Sequence, residues 1–534
     1  MQNRFFWIAF FGMLWSTSEA QSDFNYQIQL TPINVPGFGG IQSFAKAQYQ
    51  GKWIFIGGRL DGLHARQPFN AFPATANNTV IRVVDTATWQ QWTAPLSTLS
   101  VGLQEQLQAT NINFYQDDDT LILIGGYGFS NTANNHITYP KLTLVNLPAL
   151  VTDVQAGSLQ PSTFYQLDDT RFAVTGGQLG KIGDTYYLVG GHRFDGRYNP
   201  MNNPTFTQTY TDAIKKFKLS NQNMLWQVTD YIETTDAVHL HRRDYNLVPQ
   251  VFQDGSSGYM ISSGVFQVNA NLPFLYPVDI NASGYIPQTT HSQLLSNYHG
   301  AHAELYDAPT QKMHTLFFGG LSQYYYQGNT LIQDTNVPFV KTISRVTRDP
   351  LNGWIEYRQP EEMPIFVGAG SEFLPNLQLP HRENDIIKLD EITSDTFVLG
   401  YIVGGIASTS QNPFSNNQTS QTSPSSVIYE VRLTAQPVLH AQPVNAPHPF
   451  QFTIAPNPSS AQKIKLTYEF PYEASMEYLV TDVTGKLVME GRLTKSKLGT
   501  NTLDFELDIV DSEVLFITLI FDRNYYQTQK LLRQ

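Results

Sequence analysis

The chain has 534 residues, of which 33 are Lys or Arg and 45 are Asp or Glu, giving a formal charge of −12 at pH 7. With 15% of residues charged and no basic excess, it lacks the cationic stripe that a nucleic-acid binder needs to neutralise phosphates. Its 41% hydrophobic and 13% aromatic content is too high for a disordered chain, and the absence of cysteine excludes disulfides, thiolate nucleophiles, Cys-ligated zinc and iron–sulfur clusters.

At the N-terminus Arg4 precedes an apolar run from Phe5 to Trp15, and Ser18-Glu19-Ala20 forms a small-x-small site before Gln21. Residues 1–20 read as a cleaved signal peptide, since the apolar run is too short to cross a bilayer as a helix. No later apolar run is long enough either, so no membrane span is expected in the mature chain.

From residue 21 to about 435 one unit recurs, a short apolar strand ending in a small-residue doublet. The doublets are Gly57-Gly58, Gly125-Gly126, Gly190-Gly191, Ser263-Gly264, Gly319-Gly320 and Gly404-Gly405, each preceded by a run such as Trp53-Ile54-Phe55-Ile56 or Tyr186-Tyr187-Leu188-Val189. The second glycines, at 58, 126, 191, 264, 320 and 405, are 68, 65, 73, 56 and 85 residues apart, each interval leaving room for one sheet with enlarged loops. A further pair, Gly176-Gly177, lies too close ahead of Gly190 to open a unit of its own and fits a hairpin inside the third. Around each doublet strand the sequence predicts an earlier strand (for example Ala109 to Tyr115), a turn of the type Asp117-Asp118-Asp119, a long loop, a further strand, and in some units a late Trp such as Trp92, Trp226 or Trp354. Glycine pairs let a backbone bend and approach a neighbour where side chains clash.

Six such units in phase resemble the kelch family. The resemblance implies an all-β fold, a six-bladed kelch-like β-propeller over residues 21–435; a right-handed β-helix, the alternative, needs a shorter and more even period. Asn25 to Thr31 is expected to pair with the last blade beside Val427 to Leu433, closing it without a disulfide. Among kelch enzymes, copper oxidases resembling galactose oxidase need a cysteine crosslinked to tyrosine, which this chain cannot form.

The segments after the doublets are long and are expected to line one mouth of the channel: Arg59 to Asn78, Tyr127 to Pro140, His192 to Thr211, Val265 to Pro277, Leu321 to Val340 and Ile406 to Ser426. Phe69, Phe72, Phe129, Phe194, Tyr198, Phe206 and Tyr324-Tyr325-Tyr326 stand out in them. Rings beside amides suit a sugar or an extended peptide, whereas the plainer reading has them pin the loops down. The last loop, nearly all Ser, Thr, Asn and Gln, reads as a flexible connection. Arg243, His299 and Arg382 stand at nearly the same distance ahead of Gly264, Gly320 and Gly405, where first strands are expected to begin. The strings Arg243-Asp244-Tyr245-Asn246 and Arg382-Glu383-Asn384-Asp385 support that alignment. If they converge they attract a carboxylate; otherwise each Arg pairs with an acid as structural glue. The candidate ligand-binding set is Arg243, His299, Arg382, His192, Arg193, Tyr198 and Tyr325. No metal or other cofactor is expected: His239-Leu240-His241, with His299 and His302, supplies imidazoles without an indicated third ligand.

After residue 435 a linker, 436–451, carries Pro437, Pro443, Pro447 and Pro449. Residues 452–534 then show alternating runs, Lys463 to Tyr468, Tyr478 to Val483, Lys486 to Glu490, Asp504 to Asp508 and Leu515 to Phe521, with Thr484-Gly485 as a turn, and read as a small β-sandwich. Ala455-Pro456-Asn457-Pro458, Thr481-Asp482-Val483-Thr484-Gly485-Lys486 and terminal Gln529-Lys530-Leu531-Leu532-Arg533-Gln534 resemble the C-terminal sorting domain of type IX secretion substrates of Bacteroidetes. Asp511-Ser512-Glu513 departs from the Gly and Tyr usual in that family. The resemblance implies partnership with the type IX machinery and a secreted or outer-surface location reached through the periplasm. The expected function is binding of a glycan or peptide without chemistry. The alternatives are a carbohydrate-active enzyme, an epimerase or glycoside hydrolase with acid–base residues at the mouth, and a surface adhesion or scaffold protein.

Overall fold

The structure is a computed structural model that describes residues 24–67, 70–200, 205–223, 225–351, 353–436, 442–444, 452–460, 463–470, 474–483, 486–497, 499–507, 514–521 and 525–533. The signal-peptide reading, Phe69, the Thr484-Gly485 turn, Asp511-Ser512-Glu513 and most of the linker lie outside those residues. The fold is all-β, and the described residues contain two short α-helices, Val101–Leu107 and Leu147–Gln155.

Six antiparallel sheets with a four-stranded body follow one another along the chain. Sheet one is Ala45–Tyr49, Lys52–Ile56, Val80–Asp85 and Gln91–Pro95; sheet two is Asn113–Asp117, Thr120–Ile124, Lys141–Asn146 and Phe164–Asp168. Sheet three is Gln178–Ile182, Thr185–Val189, Ala213–Gln222 and Leu225–Thr235; sheet four is Asn246–Val251, Ser257–Ser262, Val278–Asn281 and Gly284–Pro287. Sheet five holds Ala301–Asp307, Lys312–Phe318, Thr342–Asp349 and Gly353–Glu362, widened by Ile387–Lys388 and by the linker pair Gln442–Pro443. Sheet six takes Ser371–Pro375, Thr396–Gly404 and Ile428–Ala435, with Tyr26–Ile33 as its fourth strand. That last pairing runs from Tyr26 opposite Ala435 to Ile33 opposite Ile428, so the expected partnership of the two chain regions is present.

Each doublet terminates the second strand of its sheet with both residues at positive φ, from 51° at Gly190 to 102° at Gly264. The bend aims an N–H at the next sheet: Gly58 donates to the Ala109 carbonyl at 2.8 Å, Gly126 to Val174 at 3.1 Å, Gly191 to Arg242 at 2.8 Å, Gly320 to Val367 at 2.8 Å, and Gly405 back to Ile41 at 3.0 Å. A Cβ on Gly125 lies 1.9 Å from the Val174 oxygen, so the close approach of neighbouring backbones excludes a side chain there. Gly176 and Gly177 precede the first strand of sheet three, which forms a hairpin with the second, and are not a seventh unit.

Apolar side chains on both faces of these strands fill the space between sheets. Tyr186 and Leu188 pack with Ile122 and Leu144 of sheet two, while their neighbours Tyr187 and Val189 pack with Leu247 and Ile261 of sheet four. Period-2 alternation with both faces apolar is what a strand covered on both sides requires. Trp53 and Phe55 meet Leu374, Val403 and Ile428, which joins sheet six to sheet one.

The segments after the doublets are more regular than the sequence predicted. Tyr127–Ser130, Asn135–Thr138, His192–Gly196 and Phe206–Tyr210 pair into an extra four-stranded sheet, and Tyr324–Gln327 with Thr330–Gln333 forms a hairpin. Even the polar last segment carries strands at both ends, Ile406–Ser408 and Thr422–Pro424, in a three-stranded sheet with Phe366–Val367. Backbone polar groups at these positions find partners in one another, which long irregular loops cannot provide.

The C-terminal region forms two sheets, Phe452–Ala455 with Lys463–Phe470 and Gly499–Glu506, and Leu487–Ser496 with Ala474–Asp482, Val514–Phe521 and Tyr525–Leu532. They enclose one core of Ile464, Leu466, Met476, Val480, Phe505, Leu515 and Ile517. Asn457 ties the Ala455-Pro456-Asn457-Pro458 segment to the last strand: its Nδ2 donates to the Lys530 carbonyl at 2.7 Å and its Oδ1 accepts from the Leu532 N–H at 3.0 Å.

Candidate functional site

Just before the first strand of each sheet stands one residue in the left-handed region: Ser43, Asn111, Gly176, Asp244, His299 and Gly370, with φ of 54°, 50°, 63°, 49°, 52° and 79°. Four of the six steps between them are bridged by backbone hydrogen bonds. Ser43 N–H donates to Gly370 O at 2.9 Å, Asn111 to Ser43 at 3.1 Å, Asp244 to Gly176 at 2.8 Å and Gly370 to His299 at 2.8 Å. This collar marks the doublet end of the first strands. No sequence motif announces it, because different residue types fill the position and only backbone conformation unites them.

Below the collar, a cavity of about 640 Å³ is lined by first strands of all six sheets. Many of its amides serve the scaffold: Gln48 Nε2 donates to Pro375 O at 3.1 Å, Asn113 Nδ2 to Val174 O at 2.9 Å, and Gln178 Nε2 to Tyr245 O at 2.6 Å. The charged groups divide differently. Lys181 holds Asp117 at 2.7 Å, and His302 Nδ1 meets Glu304 at 2.5 Å. Among the described residues Lys46, Glu372 and Asp385 have no ion-pair or hydrogen-bond partner for their charged ends; Lys46 lies 5.9 Å from the Phe114 ring centroid. Burial raises the pKa of Glu372 against the opposing pull of Lys46, His302 and His299. Asp385 is exposed on the strap; desolvation by the surrounding protein raises its pKa, opposed by Lys46 and His381 and assisted by Glu304.

The far end is crossed by residues 376–389, a strap between the first two strands of sheet six. Asn384, at φ 58° and ψ 31°, presents its Oδ1 to two phenols from other sheets, Tyr115 at 2.8 Å and Tyr259 at 3.0 Å. Asn tolerates this backbone conformation better than most residues.

Four of the seven predicted site residues gather on the collar's outer side. Arg243 is 9% exposed, 3.8 Å from Asp244 and over the Phe266 ring at 4.9 Å. Burial opposes its charge, but Asp244, Tyr210 and Tyr198 outweigh that and raise its pKa. His299 Nδ1 lies 3.8 Å from the same Asp244. His192 is 3% exposed, bonded through Nδ1 to Gln208 at 2.8 Å, and burial with Arg243 nearby drives its pKa well below the ordinary value. Tyr198 packs on His64, Phe72, Phe194 and Phe206. This is a packed aromatic and cationic pile, and within it only His299 also lines the cavity.

The other three are elsewhere. Arg193 is exposed in an ion pair with Asp195 at 2.8 Å, and Tyr325 sits on the separate hairpin Tyr324–Gln327. Arg382 corrects the predicted alignment. It follows the first strand of sheet six, on the strap, with its guanidinium 5.3 Å from the Tyr306 centroid, so it lines the cavity from the end opposite Arg243. The residue matching Asp244 in sheet six is Gly370, which precedes the first strand; the look-alike string at Arg382 belongs to an insertion that follows Pro375. The two strand-face imidazoles are also separate: His239 bonds Tyr276 at 2.9 Å, and His241 bonds Asp212 at 2.7 Å. Among the described residues no group of three His, Asp or Glu is placed to hold a metal, and no helix is long and apolar enough to cross a membrane.

No protein-family model matches the chain, and no curated protein matches it in sequence. A solved structure described as "Structure of YjhT" is similar over 77% of this chain and 99% of its own, at 10% identity and a TM-score of 0.41. At that score the likeness carries neither a fold nor an activity across.

Proposed function

We propose that the chain is a secreted or surface-displayed six-bladed kelch-like β-propeller that binds a saccharide in its central channel, exported by a type IX sorting domain formed by residues 452–534. Supporting the propeller are six sheets in chain order, doublet bonds from sheet to sheet, and an N-terminal strand completing the last sheet. The clamp of Asn457 on Lys530 and Leu532 supports reading the first and last sorting motifs as one unit.

The observation that carries the binding reading is the cavity of about 640 Å³, into which Lys46, Glu372 and Asp385 bring charges that the scaffold leaves unpaired. Lys46 and Glu372 are partly buried and Asp385 is exposed, and charges without a protein partner are left for a ligand or water to satisfy. The site is therefore moved from the doublet loops to the channel. Titration of the full mature chain against a saccharide panel tests this. Lys46→Ala and Glu372→Ala are expected to abolish binding while Arg193→Ala and Tyr325→Ala leave it intact; the reverse pattern returns the site to the loops.

A second reading, acid–base chemistry on the bound sugar, is favoured by Glu372 with its raised pKa near the His302–Glu304 pair. Turnover of a bound saccharide that Glu372→Gln stops, with binding retained, distinguishes it from binding alone.

A further inference from the structure

We infer that the channel selects a ligand carrying a protonated primary amine, of the amino-sugar class, with Glu372 and Asp385 as its counter-ions beneath the strap. The inference rests on the channel being the saccharide site and adds the charge of the ligand.

Seven carboxylates and three Lys or Arg side chains line the cavity. Asp117 is neutralised by Lys181 and Glu304 by His302, while Asp244 faces Arg243 and His299 at 3.8 Å. What remains is Glu372, partly buried on the first strand of sheet six, and Asp385, exposed on the strap at the cavity's end, against one ammonium, Lys46, which lies within electrostatic reach of both and in an ion pair with neither. One negative charge is uncompensated. Asp118 and Glu383 against Arg382 repeat that excess toward the strap end. Glu372 is the telling group, because its carboxylate accepts no hydrogen bond from any described residue although its side chain is partly buried where the first strands line the cavity. An ammonium supplies both missing elements, a positive charge and three donors. A metal ion fits less well, as no three ligating side chains are assembled among the described residues. Asp385 lies beside Asn384 on the strap, whereas Glu372 lies on the first strand of sheet six, so the two counter-ions come from different parts of the cavity wall.

Calorimetric titration of the full mature chain with glucosamine, N-acetylglucosamine and glucose at pH 7 tests the proposal, because the three share a ring and differ in charge. Glucosamine is expected to bind at least about tenfold tighter than either neutral sugar, the usual effect of one charge-assisted hydrogen bond. Glu372→Gln and, separately, Asp385→Asn should remove that preference without lowering the thermal unfolding temperature of the unliganded chain. Either variant alone suffices if the other fails to fold. Equal affinity for all three sugars overturns the amine and leaves the saccharide reading standing. Binding of 1,5-diaminopentane with none of the sugars overturns the saccharide reading and keeps the amine; no binding of any probe overturns both.

Discussion

Replacing Asn384 by Ala should loosen the strap without unfolding the sheets. Asn384 Oδ1 is the shared acceptor of the Tyr115 and Tyr259 hydroxyls, at 2.8 and 3.0 Å, and its backbone sits at φ 58°. Two lost hydrogen bonds cost about 1 kcal/mol each, and Ala in the left-handed region costs about 1 kcal/mol more. A total of about 3 kcal/mol corresponds to about 100-fold easier opening. Native-state hydrogen exchange reads this directly at two strap amides, Arg382, bonded to Ile386 O at 2.7 Å, and Lys388, bonded to Pro380 O at 2.9 Å. Both should exchange about 100-fold faster, while amides of Leu123 and Leu188 in the sheets keep their rates. Asn384→Gly separates the causes: glycine adopts the backbone conformation freely, so only the hydrogen bonds are lost and the acceleration should fall to about 30-fold. Unchanged strap exchange in Asn384→Ala, or equal acceleration of strap and sheets, refutes the idea that Asn384 fastens an independently opening segment.

Gly125→Ala forces a Cβ to 1.9 Å from Val174 O and should cost about 3 kcal/mol or more in denaturant unfolding, whereas Gly183→Ala, at φ 59° with nothing within 4 Å, should cost about 1 kcal/mol; equal losses would deny the inter-sheet approach. Glu356 is buried, takes N–H bonds from Leu294 and Leu295, and has its pKa pushed up by burial to about 8. An acid raised in this way contributes its stability fully below about 4.5 and loses it as pH rises through about 8. The stability difference between wild type and Glu356→Gln should therefore fall by more than about 1 kcal/mol from pH 5 to pH 9, and a flat difference would show that Glu356 is not held neutral. Deletion of Phe452 to Gln534 should trap the protein in the periplasm on fractionation; undiminished export would remove the sorting assignment.

The scaffold was legible because its signals are local and repeated. A glycine doublet after an apolar strand reports the bend at Gly57-Gly58 or Gly404-Gly405, and Trp92, Trp226 and Trp354 do lie on the fourth strands of their sheets. The helix Leu147–Gln155 was legible in principle. Leu147, Leu150, Val151 and Val154 have helical spacing and are buried, behind Asn146, which caps the Ala149 N–H at 2.9 Å; the strand rhythm on either side concealed it. The extra sheet of Tyr127–Ser130 and its partners was hidden because its strands come from two units, and pairing across units leaves no trace in either. The site was the least legible. Lys46, Glu372 and Asp385 come from opposite ends of the chain and share no motif, and their importance lies in lacking partners, which only the assembled cavity reveals. Arg382 misled because a matching string outweighed topology: similar residues imitate a register that strand pairing assigns to Gly370.

A crystal structure of the full mature chain soaked with glucosamine tests the channel most directly. The sugar is expected inside the collar, with its amine at hydrogen-bond distance from Glu372 and Asp385 and the strap in place over it. Sugar bound instead against Arg193 or Tyr325 on the doublet side, with the channel holding only water, would contradict the account.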